Sequence, residues 1–362
     1  MRGHRLVSLD TFRGLTIAAM ILVNNPAGEE NRYWFLRHAV WDGCRPADVI
    51  FPAFLFIAGV SLTLSFSSRK LSGSTRRVVR RAAILLALGL ILNALPYFDW
   101  EIVRVPGVLQ RIALAYLGAA LIALSHGPVG QALWAVGLLV FYWGVMVLVP
   151  VPGYGAGVLE PDANLAAYVD RLVLGTHLAH RSWDPEGILG TLPSIASVLA
   201  GTLAGYLVLD RSRSKAVLAL LLGGFIAVAL GLLVARWFPI NKSLWTSSYV
   251  LLTSGVSAAA LAACLWAVDI EGVAAWTTPF LIFGSNPILA YWLSSFAAKL
   301  LQLVHVTRSD GSVVFLETYV VDGLYAISGS RPMAALLYSL VYTALWLVLL
   351  VPLYRRRIFV KI

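Results

Sequence analysis

His38 is the side chain in this sequence best suited to proton chemistry, because an unperturbed imidazole takes up and returns a proton at physiological pH. Other polar groups stand beside long apolar runs: Asn24 and Trp41 flank the histidine, Asp48 precedes the apolar FPAF, and Arg111 opens a further run. Asp184 and Glu186 fall in DPEG, Lys242 and Trp245 in NKSLW, and Asn286 stands before Pro287. Ionisable or amide groups next to membrane-length apolar segments are functional candidates by default. Each also has a plainer reading. His38 can be an ordinary interface histidine, and Trp41, Trp183 and Trp245 can be aromatics of a membrane-interface belt. Asp184 and Glu186 can complement the positive end of a following helix, and Arg111 can be a buried partner for Asp48 or Asp184. Asp10 and Arg13 share a helical face as an internal pair. Asn286 can satisfy backbone groups freed by the proline after it.

Several chemistries are not indicated. Cys44 and Cys264 lie in different segments and make neither a ligand pair nor a disulfide framework, so no metal is expected. Neither a Gly-x-Ser-x-Gly elbow nor a Walker-type loop is present, which argues against nucleotide hydrolysis. The net charge of +10 reflects membrane orientation, and no nucleic-acid partner is expected.

The elements that position these residues follow from composition. The chain has 362 residues, 59% hydrophobic and 13% charged, with a mean hydropathy of +0.80. Soluble domains carry roughly a quarter charged residues, so the sequence reads as an all-α, polytopic integral membrane protein of one domain over 1–362. At about 20 apolar residues per crossing, ten runs qualify: 9–26, 49–66, 82–98, 108–124, 132–150, 188–209, 216–235, 247–268, 278–296 and 332–353. No internal repeat is visible. The basic segments 67–81, 210–215 and the C-terminus, with Arg2 and Arg5 at the N-terminus, fall on one side for ten crossings, which makes both termini cytoplasmic. The N-terminal segment reads as retained, since no small-residue cleavage site follows it. Segment 313–328 is apolar, but Glu317 and Asp322 make it expensive in lipid, so an outer amphipathic helix is expected there. Gly201 and Gly205, at GxxxG spacing, offer a seam for a homodimer.

The stretch RLVSLDTFRGLTIAAMILVN, followed by RYWFLRHAVWDGCRPADVIFPAFLFIAGVSL, closely resembles the start of the transmembrane heparan-alpha-glucosaminide N-acetyltransferases and their bacterial relatives. GVLQRIALAYL, DPEGILGTLPSIASVLAGTLAGYL, INKSLWTSSYVLLTSG and FGSNPILAYWLSS continue the resemblance in order over essentially the whole chain. The lysosomal members carry an added lumenal region and one more crossing, and the stretch from Asn24 to His38 is longer here by about three residues. The resemblance implies acetyl transfer across a membrane, from cytoplasmic acetyl-CoA to an amino-sugar or glycan acceptor outside, in a bacterial inner (plasma) membrane. His38 then corresponds to the family's catalytic histidine, Asn24 to its asparagine at the end of the first helix, and Asp48 to its aspartate before the FP pair. As general base, His38 would deprotonate the acceptor, Asn24 would donate to the oxyanion, and Asp48 would hold the imidazole tautomer; an acetyl-imidazole intermediate is the alternative. Trp41, Arg111, Asp184, Glu186, Lys242 and Trp245 are the expected acceptor-side residues. Arg13, Arg76, Arg80 and Asn286 are those expected near the acetyl-CoA nucleotide. The competing reading is a membrane carrier for a sugar or acylated sugar, with His38 and Asp48 as a proton relay.

Overall fold

The computed structural model describes residues 6–24, 32–67 and 74–360. Arg2, Arg5, Asn25, Arg69, Lys70 and Lys361 lie outside the described residues. The long helices are α1 (Val7–Asn24), α2 (Pro46–Ser67), α3 (Ser74–Ala94), α4 (Val108–Ser125) and α5 (Pro128–Leu148). After the short α6 (Leu165–Leu174) come α7 (Thr191–Asp210), α8 (Arg213–Val234) and α9 (Ser247–Cys264), which continues as a wider turn to Ile270. A bent pair, α10 (Thr278–Ser285) and α11 (Pro287–Leu301), leads through a hairpin of β1 (His305–Thr307) and β2 (Val313–Phe315) to α12 (Leu316–Ser328) and α13 (Arg331–Arg355).

Among the described residues, eight helices are long and apolar enough to cross a membrane, and nine segments if α10 and α11 form one span. The exception among the expected runs is α3. Arg76, Arg77, Arg80 and Arg81 occupy its first turns, so its apolar part starts only at Ala82. The run over 278–296 is broken at the proline that interrupts it, where α10 and α11 meet at 84°. The Asn286-Pro287 pair explains the break: a proline has no N–H for the ladder and its ring disfavours a helical residue before it. The side chain of Asn286 satisfies backbone from elsewhere. Its amide donates to Ile358 O at 2.9 Å and its oxygen accepts from Val360 N at 2.7 Å, tying the C-terminal segment to the bend. The amide is thereby engaged at both its nitrogen and its oxygen.

Close backbone approach holds the centre together. In a lipid-like setting apolar surface supplies little drive for helices to associate, so small residues that admit a neighbour's backbone matter more. A Cβ on Gly201 would sit 1.9 Å from Phe56 O, one on Gly59 1.9 Å from Val198 O, and Gly205 faces Thr63. The GxxxG seam expected for a second copy is therefore occupied by α2 of the same chain. Helices α5 and α8 stand at the edge, mostly unburied along their length, and present residues such as Phe141, Phe225 and Ile226 outward. Segment 313–328, read from sequence as a helix throughout, begins with the strand β2 and is helical only over α12 (Leu316–Ser328).

Candidate active site

Two loops far apart in sequence are joined in register just before α2 and α9. Asp42 and Asn241 form an antiparallel bridge, Gly43 N donates to Ile240 O at 2.7 Å, and the Asn241 amide reaches Asp42 Oδ1 at 3.1 Å. Asn241 Oδ1 accepts from Leu244 N at 2.8 Å, which fixes the turn. This joint delivers Lys242 to His38.

Asp48 sits in the first turn of α2, where an acidic residue answers the unsatisfied N–H groups and positive pole of a helix start. Its Oδ2 accepts from Arg45 N at 2.9 Å, closing a capping arrangement, and from Ala39 N at 3.0 Å, which pins the residue after His38. Its Oδ1 lies 2.7 Å from His38 Nδ1, and the carboxylate is fully buried. Tyr249 on α9 donates to the Asp48 carbonyl at 2.6 Å, so α2 and α9 hold the residue between them.

Lys242 Nζ approaches the same imidazole, 2.9 Å from Nδ1, 3.4 Å from Nε2 and 3.4 Å from Asp48 Oδ1. Burial pushes the lysine ammonium below its ordinary value, against the pull of Asp48 and Glu186. Nδ1 has one in-plane position, holding either a hydrogen or a lone pair. When it donates to Asp48, Nε2 keeps its lone pair and the ring is a base. When an ammonium on Lys242 donates to Nδ1, the proton sits on Nε2 and the ring cannot accept one there. Asp48 and Lys242 thus compete for the tautomer.

His38, Asn24 and Lys242 line a cavity of about 360 Å³, with Met20, Phe51, Val108, His180, Trp183 and Glu186 elsewhere on its wall. That volume suits a small organic substrate. Asn24 closes α1 at its edge.

Glu186 comes with its own scaffold. Arg104 binds Asp184 through two nitrogens, at 2.8 and 2.6 Å, and also holds Glu186. Burial alone would lower the Arg104 guanidinium, but the two carboxylates outweigh it and hold it above the ordinary arginine value. Asn93 at the end of α3 fixes this loop by donating to Arg104 O and Pro106 O at 2.8 and 2.6 Å. Sequence reading missed Arg104; the signal available was a pair of carboxylates two residues apart that need a cation. Arg111 does not partner Asp48 or Asp184. It is buried, donates to Gly187 O at 2.9 Å and lies 5.0 Å over the Trp245 ring, beneath the loop that carries Glu186.

The remaining expected residues separate. Trp245 is not a belt aromatic: it is 1% exposed, donates to Ser197 Oγ at 3.1 Å and packs on Phe51 and Tyr249. Trp41 donates to Leu159 O at 3.0 Å and abuts Trp183 edge-on, outside the lining of the His38 cavity. Arg13 bonds Asp10 at 2.8 Å and Ser61 at 2.7 Å, the internal pair its spacing suggested. Arg76 and Arg80 are exposed on the first turns of α3, the end opposite Asn93.

Asp170 on α6 supports the DPEG loop from behind. Its Oδ1 accepts from Ile188 N at 2.8 Å, and a Cβ on Gly187 would fall 1.9 Å from its Oδ2. Burial pushes its carboxyl up from 3.8 to about 6, with the Ile188 N–H opposing and Asp184 adding to the rise. A raised carboxyl pKa means the folded chain holds the proton more tightly than the unfolded one. Its penalty is absent below about pH 4, grows toward pH 6 and is then complete, at most ~3 kcal/mol. Asp170→Asn keeps the acceptor for Ile188 and should melt higher than the parent at pH 8 and equally at pH 4. A thermal-melt series in detergent checks this; equal melting temperatures at both pH values would remove the role.

A sequence model of the family described as "Heparan-alpha-glucosaminide N-acetyltransferase, catalytic" matches residues 5–230. The chain is 32% identical to the Homo sapiens heparan-alpha-glucosaminide N-acetyltransferase over 421 aligned positions, covering 99% of this chain and 60% of that protein. The Mus musculus protein of the same name is 31% identical, with 99% and 61% covered. The chain thus spans about 60% of the length of these relatives. The matched region contains His38, Asp48, Arg104 and the DPEG loop, and the full-length alignment extends to Lys242; this chain belongs to the heparan-alpha-glucosaminide N-acetyltransferase catalytic family.

Proposed function

We propose that the chain is a membrane acetyltransferase that moves acetyl from cytoplasmic acetyl-CoA to a glucosamine-type amino sugar outside. The observation that carries this reading is the His38–Asp48 pair, 2.7 Å apart, with Asp48 buried behind His38 and His38 on the wall of a cavity that also holds Asn24 and Glu186. An amine attacking a thioester must shed a proton, and an imidazole held through Nδ1 by a buried carboxylate is built to take it at Nε2. The Asn24 amide donates to the oxygen that gains charge as the tetrahedral adduct forms, a contact worth a few kcal/mol when preorganised. Glu186 gives the cavity an anionic wall for an ammonium, while Asp184, Arg104 and Arg111 position its loop.

In this reading α3 and the α10–α11 pair complete ten crossings, both termini are cytoplasmic, and the His38 cavity opens outward. The basic start of α3 then faces the cytoplasm, where Arg76 and Arg80 meet the nucleotide phosphates. The pantetheine arm has to span part of a bilayer core about 30 Å thick to bring its thioester to His38.

Sealed proteoliposomes test function and sidedness together. With the chain oriented by impermeant labelling, radiolabelled acetyl-CoA supplied at the Arg76 side should acetylate glucosamine held only at the His38 side. Transfer only when both substrates share one compartment would overturn the sidedness, and no acetylated amino sugar in any arrangement would overturn the reaction.

A further inference from the structure

The cavity has a second histidine. His180 precedes the DPEG motif and lines the same cavity as His38. Its ring stacks on Trp183, centroids 4.2 Å apart and planes at 22°, and its backbone N–H donates to Trp183 O at 3.1 Å. Neither ring nitrogen bonds another described residue, and the side chain is exposed at the cavity wall. The stack fixes the imidazole plane and leaves both nitrogens available.

The reaction needs two proton transfers. An amino-sugar acceptor reaches the cavity largely as an ammonium, which has no lone pair with which to attack. One proton must leave before the carbon–nitrogen bond forms, and a second must pass from the new nitrogen to the departing sulfur. His38 alone serves this poorly: an imidazole that has taken the first proton cannot take the second, and the imidazolium would stand against Lys242, 2.9 Å from Nδ1.

We propose that His180 takes the first proton, from the acceptor ammonium, and releases it to the water outside, so that His38 is left to shuttle the second. The proposal rests on the acetyltransferase reading above. His180 receives one N–H proton, leaving a neutral amine whose lone pair forms a bond to the thioester carbonyl carbon. The carbon–sulfur bond then breaks with its electron pair on sulfur, and His38 carries the second amine proton to that sulfur. The products are the N-acetyl sugar, the free thiol of CoA and one proton, which His180 gives to solvent. Glu186 on the same wall, bound by Arg104, holds the ammonium while it is deprotonated. The other titratable groups around this wall are His38 and Lys242 in the cavity, with Asp184 and Arg181 on the loop of His180 itself.

The test is the pH dependence of kcat/KM for glucosamine with purified wild-type chain, His180→Gln and His38→Ala. His180→Gln should be slower by about 100-fold below the pKa of the acceptor amine. Its rate should return toward wild type as the pH is raised above that value, because the acceptor then arrives already neutral. His38→Ala should stay inactive at every pH. A His180→Gln profile that runs parallel to wild type, whether unchanged or lowered by a constant factor, overturns the proposal, since a merely structural stack would act at all pH values alike. A wild-type chain that acetylates no amino sugar overturns the underlying reading and this proposal together.

Discussion

Replacing His38 by alanine is expected to lower acetyl transfer by about 100- to 10,000-fold, the range for a lost general base, while the chain stays folded and binds acetyl-CoA. The structural part of this expectation follows from what remains. The His38 side chain is 30% exposed on the cavity, so its removal opens no internal void. Asp48 keeps the N–H groups of Ala39 and Arg45, and Lys242 Nζ at 3.4 Å, so its buried charge is not orphaned. Calorimetry with acetyl-CoA and turnover with glucosamine separate binding from chemistry. A second measurement distinguishes base from nucleophile: with acetyl-CoA and no acceptor, direct transfer leaves the peptide containing His38 unmodified, whereas an acetyl-imidazole adds an acetyl mass to it. Direct transfer is expected, because thioester and acceptor held together need no intermediate. Near-normal turnover in His38→Ala would remove the base and bring the carrier reading forward.

What the sequence made legible here is what one short segment contains. The spacing from His38 to Asp48 keeps both in one loop and the first turn of the next helix, where a carboxylate has a local reason to sit. The apolar runs were legible for the same reason, since membrane thickness sets their length, and α3 alone among them is obscured by arginines in its first turns. Lys242 stood out as a charge before a helix, but its contact with His38 spans 204 positions and depends on the Asp42–Asn241 bridge, which no periodicity announces. Arg104 and His180 were missed because both lie in irregular loops and acquire meaning only when those loops fold onto each other. His177 Nδ1, at 2.8 Å from Val103 O, and Val105 N, donating to His177 O at 3.1 Å, make that contact. Trp245 was misread because tryptophan near a helix end fits the belt and the core equally well in sequence.

Asp48→Asn is the sharper test of how the imidazole is set. The amide is nearly isosteric, and its oxygen can still accept from Ala39 N and Arg45 N, both of which now bond Oδ2. The –NH2 then takes the position of Oδ1 opposite Nδ1, where it can only donate. Nδ1 must answer with its lone pair, the proton moves to Nε2, and the nitrogen needed as base is blocked. Lys242 reinforces the change, because without a carboxylate beside it the imidazole lone pair is its remaining acceptor among the three groups. Turnover is expected to fall by about 10³- to 10⁴-fold, the scale of a wrong tautomer in other base-assisted sites, with KM for both substrates and the melting temperature little changed. Asp48→Ala should differ in kind: it leaves two backbone donors without their acceptor and Lys242 without its carboxylate partner, at a cost of about 3–5 kcal/mol in stability as well as the activity. Equal losses of stability in the two variants would mean that Asp48 acts through the fold alone. Asp48→Asn working within about tenfold of wild type would show that the Asp48 carboxylate does not set the imidazole tautomer on which the reaction depends.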